Sequence, residues 1–407
     1  MLRILKHPVF ARLFAAQVVA LLGTGLLTVA LALLAYDLAG ARAGTVLGTA
    51  LTLKMVAYVV LSPVLAAALA HLPRKAVLVG ADLIRAGVAL ALPFIDGVWQ
   101  IYGLIFVLQA ASASFTPAFQ ATIPDVLTDE ADYTNALSLS RLAYDLENIV
   151  SPMLAGILLV LVSFDTLFLG TVFGFLASAI LVVSVSLPSP SPSAPRGAFD
   201  RTTRGVRLYL APPRLRGLWG LRLPAASGGA MVLINSVVLV RGSLGLNDSA
   251  LGWTMAAYGA GSILATLPLP RLLDRFGDRP VMLCGAGTMI GTLVLLAGVV
   301  SIGALTWPAL LAHWLLLGMG YSAVLTPAGR LLRRSATPED RPALFAAQFA
   351  LSHACWLVTY PLSGWLMTWG GTVVALMGLA ALGLAGFVAA LLLWPAQKGM
   401  RPGETRA

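Results

Sequence analysis

Thr116-Pro117-Ala118 is followed by the acidic pair Asp129-Glu130 and then by an apolar stretch containing Ser151-Pro152. About 210 residues further on come Thr326-Pro327-Ala328, the acidic pair Glu339-Asp340 and an apolar stretch containing Tyr360-Pro361. The spacings agree to within a residue. A repeat of that length in a chain of 407 residues means two parallel halves. In a membrane, such halves clasp a substrate path between them.

Composition places the chain in a bilayer. It is 58% hydrophobic and 11% charged, against about a quarter charged in a soluble domain. Its mean hydropathy is +0.88. Apolar runs long enough to cross about 30 Å of hydrocarbon as helices recur throughout, and we read twelve. The expected fold is all-α, a polytopic membrane protein with twelve transmembrane helices in two pseudo-symmetric six-helix bundles. The first bundle covers residues 1–187 and the second 218–407, joined by a cytoplasmic linker over 188–217. The first span follows only a short basic segment and reads as a retained helix.

Loop charge sets the expected orientation. With both termini on one side, that side collects Arg3, Lys6, Arg12, Arg74, Lys75, the linker arginines, Arg330, Arg333, Arg334 and Arg341, while the opposite loops carry only Arg42 and Arg241. The positive-inside rule then puts both termini in the cytoplasm, with the chain in the inner membrane. The net charge of +10 follows from this topology and from contact with anionic lipid, and no basic face suited to nucleic acid is visible. The linker opens with Pro188-Ser189-Pro190-Ser191-Pro192, a semi-rigid spacer. Further on, Arg201, Arg204 and Arg207 alternate with apolar residues, as in a basic amphipathic helix or a solvated tether.

Enzyme chemistry finds little support. Cys284 and Cys355 lie in apolar spans of different halves, and no phosphate-cradling glycine loop, Ser/His/Asp group or zinc-type spacing is present. The chain needs no cofactor. Its work is driven by a gradient or by binding.

Pro270-Arg271-Leu272-Leu273-Asp274-Arg275-Phe276-Gly277-Asp278-Arg279 is similar to the cytoplasmic Gly-x-Leu-x-Asp-Arg-x-Gly-Arg-Arg motif of the major facilitator superfamily. The resemblance extends to the twelve spans, the duplicated halves and the basic central loop. It implies a conformational latch built from Asp274, Arg275, Gly277 and Arg279, with Arg74 and Lys75 from the first-half copy. That copy is degraded, with Ala70 at the acidic position, His71 at the arginine and Pro73 at the turn glycine. Ser151-Pro152-Met153-Leu154-Ala155-Gly156 resembles a degenerate form of the signature of exporters that exchange substrate for protons. Ser140-Arg141-Leu142-Ala143-Tyr144-Asp145-Leu146-Glu147-Asn148 and Ser352-His353-Ala354-Cys355-Trp356 resemble the nickel-resistance exporter branch, near the macrolide exporters, although the chain end has no histidine-rich tail.

Six charges stand at membrane depth, all in the first half: Lys54, Asp82, Arg85, Arg141, Asp145 and Glu147. Such charges face a bundle interior and mark pathways. At about 100° per residue, Arg141, Asp145, Asn148 and Pro152 share one helical stripe, whereas Glu147 points about 160° away from Asp145. Asp145 is the expected proton carrier, switching between an Arg141 salt bridge and a protonated state, with Glu147 as second candidate. A fixed ion pair is the bland alternative. Asp82 and Arg85, three apart, read as a structural pair. Lys54 needs a carboxylate, with Glu147 or Asp145 as candidates. The family's path-lining helices add Gln17 and Asn235 to the substrate-binding set of Lys54, Asn148 and His353. His353 and Cys355 differ by about 200° and do not share a face, so a metal substrate would need His353, His313, Asp145 or Glu147 separately.

These features point to a monomeric secondary transporter, proton-coupled, exporting a small cationic or amphipathic solute or a divalent metal such as nickel. The alternatives are an uptake carrier, or a membrane sensor or scaffold on the same fold. The repeat makes one architectural demand: Asp129 and Glu339 must lie on one membrane face. Single-cysteine labelling from either side is expected to reach both from the same side, and labelling from opposite sides would end the twelve-span reading.

Overall fold

Lipid offers the backbone no hydrogen-bond partner, so each apolar run closes its own bonds as a helix. The computed structural model describes residues 2–39, 43–187 and 198–395. The first half comprises α1 (Pro8–Ala39), α2 (Ala43–Val56, continued by the π turn Ala57–Leu61 and Ser62–Ala68), α3 (Arg74–Ala91), α4 (Val98–Val126), α5 (Glu130–Leu161) and α6 (Phe164–Val183). A linker helix, α7, covers Ala198–Leu210. The second half comprises α8 (Pro213–Val237, continued by the π turn Val238–Ser243), α9 (Asp248–Thr266), the short α10 (Leu269–Phe276), α11 (Asp278–Ser301), α12 (Trp307–Leu325), the short α13 (Ala328–Arg333) and α14 (Arg341–Leu393).

The 53-residue α14 is two spans joined at Gly371, whose φ of 74° lies in the left-handed region that glycine enters without steric cost. Counted so, each half has six spans, and the chain is a twelve-span polytopic protein. Nine stretches among the described residues are long and apolar enough to cross by composition alone, α14 being one of them. The helices α5 and α9 complete the set at matching places in the two repeats.

The repeat is also visible in how the helices meet. In the first half α1 and α6 touch backbone to backbone: a Cβ on Gly174 would lie 2.8 Å from the Val19 carbonyl oxygen. In the second half α8 and α14 meet the same way, with a Cβ on Gly386 only 2.4 Å from the Gly220 carbonyl oxygen. Small residues are what allow membrane helices this close. α5 crosses α1 tightly as well, since a Cβ on Gly25 would strike Ser151. The side chain of Pro152, read as a kink, lies outside the described residues.

Inside the first half, Asp82 and Arg85 form a buried ion pair on α3. Ser178 of α6 donates to Asp82 at 2.8 Å, and the guanidinium lies between the rings of Phe115 and Phe175 at 4.2 and 4.5 Å. This pair fastens α3 to α4 and α6. Asp82→Ala strands Arg85 and is expected to cost about 3–5 kcal/mol. The double replacement Asp82→Leu/Arg85→Met should recover most of that loss. Thermal unfolding in detergent checks both, and an unchanged melting temperature for Asp82→Ala would remove the pair's role.

Candidate functional site at the seam between the halves

The end of the molecule that carries the linker helix is shut by ion pairs. Asp278, at the start of α11, receives Arg330 at 3.2 Å and Arg334 at 2.7 Å from the same half, and both arginines reach across the seam to Glu130 at the start of α5. Arg330 also meets Asp274 at 3.4 Å. On the pseudo-symmetric side Arg74, at the start of α3, pairs with Asp125 at the end of α4, and Asp125 also takes Arg341 from the other half. Arg74 holds in the first repeat the place of Asp278 in the second. The two clusters thus share one geometry with opposite sign: acid–arginine–acid in one, arginine–acid–arginine in the other. Among the described residues, every ion pair that joins the halves lies at this end.

Neighbouring contacts reinforce the closure. Arg333 donates to the Thr128 and Asp129 carbonyls and lies over the Tyr133 ring at 5.1 Å. A Cβ on Gly329 would meet Leu137 and the Tyr133 hydroxyl at 2.7 and 2.8 Å, so only glycine allows this approach. Asp129 caps α5 by accepting from the Asp132 amide at 2.9 Å. Its neighbour's counterpart Asp340 instead takes Arg204 of the linker helix through two hydrogen bonds of 2.7 and 2.8 Å. Those hydrogen bonds raise the Arg204 pKa. Burial likewise raises that of the Tyr209 phenol on the same helix.

The remaining residues expected in the latch do other work. Lys75 donates to the Val183 carbonyl at 3.0 Å and Arg279 to the Trp394 carbonyl at 2.8 Å, each within its own half. Arg275 lies over Phe276, and Gly277, at φ 79°, turns the chain from α10 into α11. Motif reading pointed to the arginines of the glycine turn. The cross-seam arginines are Arg330, Arg334 and Arg341, each just after the Thr-Pro-Ala repeat or its acidic pair, which was the available signal.

Above this closed end, a cavity of about 170 Å³ lies between the halves. Gln17, Tyr144 and Arg141 line it from the first half, Arg222 and Gln348 from the second. Arg141 crosses the seam: its Nε donates to Ser262 at 3.3 Å, and its guanidinium lies 4.8 Å from the centre of the Tyr321 ring. Gln17 accepts from Ser140 at 3.0 Å. Arg222, near the start of α8, turns inward. With its amide oriented to satisfy both neighbours, Gln348 accepts from Arg222 at 2.6 and 2.9 Å and donates to the Tyr209 hydroxyl at 2.5 Å. The side chains of Asp145 and Asn148 lie outside the described residues.

A second neighbourhood joins α2 to α14. The Lys54 ammonium is 5.6 Å from the Tyr58 ring centre, and no ion pair of Lys54 with Glu147 is found among the described residues. Tyr58 donates to Gln109 at 2.8 Å and packs against Phe349 and His353, both at 4.7 Å between ring centres. His353 Nδ1 donates to the Phe349 carbonyl at 2.7 Å, which fixes its neutral tautomer and leaves Nε2 as the free lone pair. His313 is held likewise by the Ala309 carbonyl at 2.6 Å. Asn235 is buried and donates to Ser363 at 2.7 Å, tying α8 to α14 rather than facing the cavity. Among the described residues, no three His, Cys, Asp or Glu side chains gather as a metal site.

Comparison with known proteins agrees with this architecture. The Major Facilitator Superfamily model matches residues 13–240 and again 218–406, one match for each repeat. The chain belongs to that superfamily: it is a multi-pass membrane transporter and not an enzyme. It is 30% identical over 224 residues to the "Uncharacterized MFS-type transporter YhhS" of Salmonella enteritidis PT4, covering 54% of this chain and 50% of that protein. The Escherichia coli K12 protein of that name is 28% identical over 241 residues, 58% of this chain and 56% of that one. The chain thus matches about half the length of these curated relatives. Among solved structures, the human organic anion transporter MFSD10 superposes with a TM-score of 0.77 at 14% identity, covering 94% of this chain and 98% of that one. A bacterial homologue of the iron transporter ferroportin, in an outward-facing state, gives 0.78 at 15% identity, covering 95% and 99%. At such identities the likeness is one of fold.

The seam clusters make a conformational prediction. Asp125→Asn leaves Arg74 and Arg341 facing each other, a change of about 2 kcal/mol and so roughly thirtyfold in the closed-to-open ratio. Spin labels at Ala131 and Thr337 should then report a longer-distance population by pulsed EPR, and an unchanged distance distribution would show that Asp125 does not hold this end shut.

Proposed function

We propose that this chain is a proton-coupled secondary transporter that exports a small amphipathic solute by alternating access. In this reading the basic end faces the cytoplasm, the chain works as a monomer in the inner membrane, and the solute sits in the cavity between the halves. The observation that carries the proposal is Arg141. It stands on α5 beside the candidate proton carriers Asp145 and Glu147, yet its guanidinium touches Ser262 and Tyr321 of the opposite half. A change in its pairing within α5 is therefore felt directly where the halves meet. Glu147 lies beside Gly25 at the α1–α5 crossing, without a described ion pair, so protonating it breaks no described salt bridge. The exporter direction draws on the small-residue crossing at Ser151 and on the likeness of its surrounding sequence to proton-exchanging exporters.

A metal substrate receives less support. Among the described residues no three His, Cys, Asp or Glu side chains gather as a metal site, and two arginines line the cavity. The likeness to a ferroportin homologue is one of fold.

Comparing Asp145→Asn with Asp145→Asn/Arg141→Gln in proteoliposomes tests the coupling. A carrier role for Asp145 requires that the double variant fold but lose pH-driven transport, keeping substrate exchange without a gradient. Glu147→Gln should behave in the same way if Glu147 shares the proton. Normal proton-driven flux in all three variants would refute the coupling scheme, and accumulation inside everted vesicles, expected of an exporter, would be absent for an uptake carrier.

A further inference from the structure

Among its described lining residues, the cavity between the halves carries an uneven charge. Arg141 and Arg222 both line it, one from each half, and no Asp or Glu stands among its described lining residues. Arg141 has partners of its own. Arg222 is different: among the described residues its hydrogen bonds go only to the neutral amide of Gln348, and it makes no ion pair with a carboxylate. Removing a guanidinium from water without a counter-anion costs several kcal/mol, so such a group in a membrane bundle marks a ligand or a pathway.

The guanidinium is also aimed. One Gln348 oxygen takes two of its N–H groups at 2.6 and 2.9 Å, and Tyr209 of the linker helix holds the other end of that amide at 2.5 Å. A guanidinium has five donors, so three remain. A planar fork held this way suits the two oxygens of a carboxylate or phosphonate. Phe119, Phe345 and Tyr144 supply the apolar part of the lining. Among the described lining residues, the two guanidiniums disfavour a metal ion or an organic cation in the same space.

We infer that the cavity seats a small organic anion, a carboxylate or phosphonate head on an apolar body, with Arg222 as its anchor and Arg141 as the second charge from the opposite half. This rests on reading the cavity as the transport site, and it replaces the cationic solute and the metal expected from sequence. Benzoate, phenylphosphonate and benzyltrimethylammonium serve as probes, with binding to the purified full chain in detergent measured by calorimetry. The two anions should bind and the cation should not. Arg222→Gln should weaken anion binding by about 100-fold, the loss of two charge-assisted hydrogen bonds, and Arg222→Lys by roughly 10-fold, since charge remains but the fork is gone. Should Arg222→Gln not fold, Arg222→Lys and Gln348→Leu, which frees the fork, carry the test. Failure of both anions to bind the native chain, or binding insensitive to residue 222, overturns the proposal. Flux separates it from the transport reading. Anion binding without anion flux in proteoliposomes sinks transport and leaves the seat, whereas cation flux indifferent to Arg222→Gln sinks the seat and leaves transport.

Discussion

A charge drawn out of water has to find its opposite, and this chain places several of those opposites across the seam between its halves. Asp125 and Glu130 on the first half meet Arg341, Arg330 and Arg334 on the second. The closed end, the position of the cavity above it and the approach of Gly329 to Tyr133 all follow from those pairs. The duplication supplied the scaffold, two equivalent corners where a span begins beside the end of another. Divergence then filled the corners with opposite charges, Asp278 in one and Arg74 in the other. Sign inversion leaves the geometry intact because each corner needs only a central group of one charge between two of the other. It does change which half supplies the shared residue: the arginines in one corner, the aspartate in the other.

The linker helix is part of this closure and also touches the cavity. Arg204 grips Asp340 where α14 begins, and the helix lies so close that a Cβ on Gly205 would sit 2.2 Å from the Ala343 carbonyl oxygen. One turn on, Tyr209 meets Gln348, and Gln348 meets Arg222. The linker helix therefore joins the surface pair Arg204–Asp340, through its own backbone and then Tyr209 and Gln348, to the guanidinium in the cavity. Movement of α14 against α7 has to alter how Arg222 is held. Arg141 makes the corresponding link from the other side of the seam.

How much of this was legible in the sequence depends on the range of the interaction. The spans were legible because hydrocarbon thickness imposes a run length on every one of them. The repeat was legible because Thr-Pro-Ala and the acidic pair recur at a fixed offset. Asp82 and Arg85 could be read as a pair because three residues is one helical turn. Contacts between halves carry no such local period. Nothing adjacent to Arg222 in sequence announces Gln348, and nothing near Arg141 announces Ser262. The first-half motif looked degraded because its acidic residue was sought at the family's position. The complementary acid is Asp125, on a different helix, and becomes visible only when Arg74 is aligned with Asp278 and a partner of opposite sign is sought. Lys54 was given Glu147 or Asp145 by the same one-dimensional logic; the Asp145 side chain lies outside the described residues, and the ring of Tyr58 beside Lys54 had no signal in the sequence.

The two corners differ in strength as well as in sign, and that bears on how the seam can open. The cross-seam pair Glu130–Arg334 has both side chains about two-fifths exposed, 43% and 41%. Water screens such a pair, and its contribution is of order 1 kcal/mol or less. The Asp125–Arg341 pair is 9% and 13% exposed, and Arg74 beside it is 8% exposed. Separating that pair leaves charges facing low dielectric until water enters. The Glu130–Arg334 contact can therefore yield at small cost, while the buried arginines of the two corners, Arg330 and Arg341, set most of the barrier. Within each half the partner remains in place when the seam parts: Arg74 stays with Asp125, and Asp278 stays with Arg330 and Arg334. No group at either corner is left without a counter-charge in the opened arrangement except Arg341 and Glu130, which begin α14 and α5 at the polar end of the molecule. A seam made of such shared partners is held shut firmly and still has an open state within reach.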